Sequence, residues 1–298
     1  MSGQMLFRLT LQLDQPCNVW VLKLGGYLPL QLSDVGVMLV DRNVTSAMSK
    51  LLAWPDRKDM ADEKWWIGQL NSERFSLNSF LCASEGNLQK PPTFEEFRSE
   101  IEKTNEVVRR TLPMARIVSH SQQDLFKTYE AASAFFERQQ REVKFLSEIA
   151  PSLSVRVSGR KAGQVEGLII EAAIANALLL RSFVVLAALS CLYEPQDGMQ
   201  PMIGRGVLKP KAQYTMTDAH NALSDIRSLE FLALFAGLPG SNVGFVTQDR
   251  NLCAFWAGIG VGAPTVKGDK FSAELFPGVN LFPRLSKDMA KDLLIRLL

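Results

Sequence analysis

Four carboxylates occupy positions where acids do chemistry. Asp41 closes the apolar run VGVMLV (35–40), and Asp249 follows VGFVT (243–247) after the single residue Gln248. Short unbroken apolar runs are the pattern of strands covered on both faces. Open parallel sheets gather their active sites at the carboxyl ends of strands, so both acids are expected on one edge of one sheet. Each also suits the plainer role of capping the helix that follows it. Asp225 does not: it lies two turns into a largely apolar helix, where an acid costs free energy unless it reaches solvent or a positive partner. A bound cation is one such partner. At about 100° per residue Asp218, Asn221 and Asp225 share a stripe of that helix. Asp218 also fits as an N-terminal residue favoured by the helix dipole. Glu85, in SFLCASEGN (79–87), follows an apolar approach and precedes a Gly-Asn break. It is either a functional acid or a surface carboxylate at a helix end, where the dipole gives a negative charge nothing. His220 is a possible ligand or base, with a polar surface role the plainer expectation.

Positioning these acids requires strands and helices in alternation. Phe7, Leu9, Leu11 and Leu13 alternate with Arg8, Thr10 and Gln12, the period of a half-buried strand. Val19–Leu24 is its expected hairpin partner across an Asp14-Gln15-Pro16 turn. From Val44 onward the reading is mostly helical. Thr93-Phe-Glu-Glu96 is a capping box that opens a helix to about Arg110. Another helix is predicted from Ser121 to Ile149, stopped by Pro151, and a buried one over 164–193. A loop rich in Gly, Pro and Met runs on to about Pro210. A helix over Thr217–Ala236, the strand at 243–247, a helix through Trp256, a glycine-rich turn at 258–262 and a last helix at 286–298 complete the chain. Strands ending in acids with helices between them make an α/β sheet.

Composition narrows the chemistry. Among 298 residues 47% are hydrophobic and 21% charged, with 20 Gly and 14 Pro, which excludes wide disorder. Thirty-three basic against 31 acidic side chains exclude attachment to nucleic acid by bulk charge. Cys17, Cys82, Cys191 and Cys253 are scattered, and the chain has 2 histidines, a poor basis for a Cys/His zinc site. Reduced thiols, no signal-peptide pattern at the N-terminus and no apolar run long enough for a bilayer point to a soluble, cytoplasmic protein without membrane contact. Neither a phosphate-cradling G-x-x-x-x-G-K-[ST] loop nor a G-x-S-x-G elbow is present. Gly258-x-Gly260-x-Gly262 lacks dinucleotide-binding spacing.

Taken together, VMLVDRNV with its strand-end Asp41, VTQDRNL with Asp249, and SDIRSLEFLA with Asp225 24 residues before Asp249 resemble the PIN-domain nuclease family. Glu85 corresponds to that family's helix-borne glutamate. The likeness covers 30–90 and 212–262. It implies a PIN-like parallel sheet flanked by helices, split into 1–92 with an N-terminal β-hairpin, a mainly helical insertion at 93–210, and 211–298. It implies a hydrolase, a metal-dependent nuclease acting more on RNA than on DNA. Asp41, Glu85, Asp225 and Asp249 would be catalytic and hold Mg²⁺ or Mn²⁺, with Asp218 a further candidate ligand. Hard divalent cations take oxygen ligands and neutralise clustered carboxylates. They activate a water against a phosphodiester. Asn43, Thr247, Arg250 and Asn221 are candidate substrate contacts.

Six bases between Arg138 and Lys161 face two acids, and Arg205, Lys209 and Lys211 follow, so the insertion offers a candidate phosphate-binding rim. Ordinary solvated charge is the alternative. Trp54, Trp65 and Trp66 suit either base stacking or core packing. Two further readings stay open: a catalytically silent PIN-like module that binds a protein partner, and a toxin or defence nuclease held inactive by an inhibitor. A homo-oligomer fits either.

Overall fold

The computed structural model describes residues 18–85, 90–195, 202–267 and 270–298. The first strands are β1 (Trp20–Lys23), β2 (Gly26–Pro29) and β3 (Val37–Val40), followed by α1 (Arg42–Ala53), α2 (Ala61–Leu70), β4 (Ser76–Asn78) and α3 (Phe80–Glu85). Next come α4 (Phe94–Thr111), β5 (Arg116–Ile117), α5 (Gln122–Phe136), α6 (Gln139–Leu153), α7 (Arg160–Ala175), α8 (Phe183–Leu192) and α9 (Ile203–Leu208). The chain ends with α10 (Met216–Ala236), β6 (Val243–Thr247), α11 (Arg250–Ile259), β7 (Val261–Lys267), β8 (Lys270–Leu275) and α12 (Lys287–Arg296).

The protein is α/β, with a mostly parallel six-stranded sheet flanked by helices. Strand order is β2-β1-β6-β3-β4-β5, and β6, β3, β4 and β5 run parallel while β1 and β2 are antiparallel to their neighbours. Side-chain alternation along the strands separates two cores. Leu22, Leu39 and Phe245 face a large core built with the helices after α2. Val21, Met38, Val40 and Val246 face a smaller one closed by α1, α2 and the second half of α4. Thus α4 covers both faces and β5 extends the sheet, although both lie in the 93–210 segment.

Several expected elements differ in the folded chain. Val19–Leu24 does form a strand, but β1 turns through Leu24-Gly25 into β2, and its other edge is taken by β6. The alternating stretch 7–13 and its turn at 14–16 lie outside the described residues. Two short strands, β4 and β5, stand inside the stretch expected to be helical; at 3 and 2 residues they are too brief to show a period. The single helix expected over 121–149 is two, broken at Glu137-Arg138, and both halves are amphipathic, so the pattern does not reveal the joint. Pro151 does not stop α6, because it falls in the last turn before Leu153. The long buried helix is likewise interrupted between Ala175 and Phe183, with Ala177 in the left-handed region at φ 51°.

The loop expected before Pro210 contains α9, seated by two glycines. A Cβ at Gly204 would collide with the backbone of Ala187 and Cys191 on α8, and one at Gly206 with the Asn251 side chain on α11. The glycine-rich turn after α11 leads not straight to the last helix but into the β7–β8 hairpin, a separate two-stranded sheet. A groove runs beside β8, lined without a gap by Phe271 through Phe276, with Phe135, Leu179 and Phe183 opposite. Successive strand residues point to opposite faces, so a groove touching all of them follows the strand's edge. No helix among the described residues is long and apolar enough to cross a membrane.

Candidate active site

Because β3 and β6 are parallel neighbours in the register Val40↔Val246, the residues just beyond them meet at one sheet edge. Asp41 follows β3, and its amide donates to the Val246 carbonyl at 3.2 Å. Its own carbonyl starts α1 by accepting from Val44 and Thr45, both at 3.1 Å. The Asp41 carboxylate does not cap that helix. Its Oδ2 accepts from the Thr247 hydroxyl at 2.5 Å.

Thr247 is wholly buried and organises the edge. A hydroxyl has one proton and two lone pairs. Here the proton goes to Asp41, while the oxygen accepts from Asn43 Nδ2 at 3.2 Å and from the Asp249 amide at 3.1 Å. Thr247 and Asn43 are thus tied to the acids. Asp249 takes the plainer role foreseen for it as well: Oδ1 accepts from the amides of Asn251 at 2.8 Å and Leu252 at 3.0 Å, capping α11. These cap bonds use Oδ1 alone. Arg250 lies with its guanidinium carbon 5.9 Å from the centre of the Trp20 ring.

From α10, Asp225 joins these acids electrostatically. Burial pushes its carboxyl well above the ordinary range, and the negative charges of Asp41, Asp249 and Glu85 add to the rise; Lys209, 3.8 Å away, opposes it. The Asp41 carboxyl is raised to about 6, mainly by burial and further by the charge of Glu85, against the Thr247 hydrogen bond. Burial also raises Glu85, the last residue of α3, but Arg42 holds it at 2.8 Å. Arg42 also donates to the Cys82 carbonyl at 2.8 Å and stands 3.7 Å from Glu100.

Asp218 is committed elsewhere. It completes a capping box with Thr215 and binds Lys211 at 2.7 Å, which together lower its carboxyl to about 2. Seven residues separate it from Asp225, about 10 Å along the axis. Asn221 lies exposed between them. His220 is not a surface side chain, since it is 9% exposed, with Nδ1 3.4 Å from Gln139 Nε2, and burial lowers its pKa.

Much of the basic rim is paired with acids, some on the same helix and some from other elements. Arg138 pairs with Glu142 and Glu230, Arg156 and Arg205 with Glu194, and Lys144 with Glu148. Trp66 is core, whereas Trp54 is 54% exposed, with Arg57 stacked on it. Sequence reasoning missed Arg42 as a partner of the acids, though its position beside Asp41 was a signal. It counted Lys209 only as rim charge, because the placement of Lys209 depends on how α9 docks.

Asp41 and Asp249 thus stand at one sheet edge and Asp225 on α10 feels their charge; all three offer oxygen donors, the type that hard divalent cations select. Among the described residues no three His, Cys, Asp or Glu side chains are grouped closely enough to hold a metal ion. Oxygen donors are the type Mg²⁺ and Mn²⁺ take, but with Arg42 paired to Glu85 and Lys209 to Asp225 these carboxylates do not form a metal-holding group as they stand. No family model matches this chain, and neither does any curated protein or solved structure.

Proposed function

We propose that the protein is a PIN-like, metal-dependent nuclease that hydrolyses phosphodiester bonds, with RNA the favoured substrate. The observation that carries this reading is that Asp41 and Asp249 stand at one sheet edge and Asp225 on α10 feels their charge. Asp41 and Asp225 hold their protons to unusually high pH because burial disfavours their charged forms and neighbouring acids add to the rise. Mg²⁺ or Mn²⁺ bound by these carboxylates would supply neutralising positive charge, polarise the phosphodiester and make a water acidic enough to attack it. Thr247 holds Asp41 in one orientation through its hydrogen bond, and Asn43 holds Thr247. Lys209 offsets the charge on Asp225 and would change its ion-pair partner to a phosphate oxygen of a bound strand. Arg42 does the same for Glu85.

The test is cleavage of single-stranded RNA and DNA with Mn²⁺, together with melting of the parent and of Asp225→Asn in EDTA, Mg²⁺ and Mn²⁺. The expected result is metal-dependent cleavage lowered at least about a hundredfold by the substitution, as removal of a charge-stabilising group does. The Mn²⁺ stabilisation of the parent is lost in parallel. Cleavage undiminished in both Asp41→Asn and Asp225→Asn overturns the reading.

A second reading, a silent module acting through a protein partner, is favoured by the Arg42–Glu85 and Lys209–Asp225 pairs, which put protein cations among the acids. It predicts no Mn²⁺ stabilisation.

A further inference from the structure

The β7–β8 hairpin has an open edge. Phe276 donates its amide to the Gly260 carbonyl at 2.9 Å, so this residue faces the β7 side. Along an antiparallel strand, residues alternate between facing the neighbour and facing away. Ser272 and Glu274 therefore also turn toward β7, and the N–H and C=O groups of Phe271, Ala273 and Leu275 point outward. The far end of the hairpin agrees, because Val266, the register partner of Phe271, gives its amide to the Gly237 carbonyl at 3.2 Å. The irregularity between Gly262 and Thr265 lies in β7 and leaves the alternation of β8 intact. Among the described residues β7 and β8 form a sheet of their own, so no strand takes up the outward groups. Two strands alone are marginal in water, and an open edge is a template for another strand.

The groove beside this edge has a volume of about 670 Å³, and its far wall is apolar, with Phe135, Leu179 and Phe183. Leu179 is 81% exposed. Ala273 and Leu275 rest against the large core, so the face of β8 that carries Phe271, Ala273 and Leu275 is the inner one. Ser272 and Glu274 lie on the outer, exposed face. The charges in the groove argue against a phosphate track. Arg138 is paired with Glu230, and the remaining two, Arg181 and Glu274, are of opposite sign, neither in an ion pair among the described residues. A helix does not suit the edge either, because its backbone groups are already bonded to one another. What satisfies outward N–H and C=O groups in a row is an extended strand.

We infer that the occupant is β8 of a second copy of this chain, laid antiparallel about a two-fold axis at Ala273. Ala273 then stands opposite its own counterpart and Phe271 opposite the second copy's Leu275. Every outward N–H and C=O from Phe271 to Leu275 gains a partner, since all three outward residues are symmetric about Ala273. Opposed residues of an antiparallel pair share a face, so the second copy's Phe271, Ala273 and Leu275 fall on the inner side, toward Phe135, Leu179 and Phe183. On the outer face Glu274 meets a serine, which avoids the like charges that oppose pairing. The one charge that the incoming strand carries between Phe271 and Phe276 is Glu274, opposite in sign to the Arg181 left over in the wall. The relation is isologous and closes at two copies, each strand filling the other's groove. One strand edge makes a small interface of the transient class, so the copies pair reversibly and the edge is free in dilute protein.

The experiment measures the mass of the full chain in solution by light scattering and sedimentation, from about 1 to 100 µM, a range that suits a small interface. Parent, Ala273→Pro and Leu179→Asp are compared. Proline is tolerated at an edge position whose amide faces outward, so Ala273→Pro should keep the circular dichroism of the parent while losing the central donor. Leu179→Asp replaces a side chain that is exposed in the single chain and puts a carboxylate where the incoming Glu274 must pass. The expected result is a parent whose mass rises from one chain to two as concentration increases. Both variants should remain single chains, with the dissociation constant raised at least about tenfold. A parent that stays single up to 100 µM overturns the inference, and so does one that grows beyond two copies. A dimer retained by Leu179→Asp, or by an Ala273→Pro that keeps the parent's circular dichroism, overturns it as well, because the contact would then lie elsewhere. Should Ala273→Pro fail to fold, Leu179→Asp decides.

Discussion

Asp41 keeps its proton to about pH 6 because its carboxyl is taken from water beside Glu85. A carboxyl whose folded pKa lies above its unfolded value of 3.8 binds protons more tightly in the folded state. Its contribution to stability is then fully present below pH 3.8 and is lost as pH rises through about 6. In EDTA, Asp41→Asn should therefore be more stable than the parent at pH 7 by about 1–2 kcal/mol, discounted for partial exposure, and the advantage should vanish near pH 4. Melting curves from pH 4 to 8 check this; an Asn variant that is less stable at pH 7 contradicts it. The same substitution removes a ligand, so stability gained without metal would accompany activity lost with it, the trade-off typical of charged sites. At this scale Asp41 and Asp249 were legible because each follows an apolar run, and Asp225 because it interrupts one. The cations opposite them were not, since Lys209 meets Asp225 only through the packing of a short helix that composition disguises as loop.

That helix, α9, shows how two glycines on a short element help to fix a charge. Gly204 lies against the α8 backbone and Gly206 against Asn251, two residues after the capping Asp249. Lys209 then leaves the helix in the left-handed region at φ 48°. Gly204→Ala should cost about 1–3 kcal/mol, as overpacking does, and should weaken the Lys209–Asp225 pair. Urea melts measure the first effect. For the second, the substitution should lower the metal-free stability yet leave the Mn²⁺ stabilisation at least as large. Loss of that stabilisation would mean that α9 supports the acids in another way. Among the elements, the capping box at Thr93 and the strands β3 and β6 were readable from local pattern alone. The breaks at Glu137-Arg138 and after Ala175 were not, because hydrophobic period continues through a joint that only tertiary packing requires. The β7–β8 hairpin was hidden by its glycines, which read as a turn.

Across the whole molecule, a buried network of Arg138, Glu142, Arg227 and Glu230 ties the α5–α6 joint to α10. Removing one member leaves a buried charge without its partner, which costs about 3–5 kcal/mol. Arg227→Met is expected to lose that much, and heat or urea should unfold it in one transition by both far-ultraviolet circular dichroism and tryptophan fluorescence. Two separated transitions would show that 93–210 and the sheet unfold apart. The family resemblance divides the chain at 93 and 210; α4 and β5, inside that segment, are built onto the sheet, and the large core takes residues from both sides of those boundaries. Such mergers depend on which faces meet, and that is not written in local period. The groove beside β8 has its own consequence. Only every second amide of β8 turns toward β7, so deuterium uptake along Phe271–Leu275 should alternate between fast and slow positions. Any molecule that comes to lie along that edge would announce itself by quieting the fast set first.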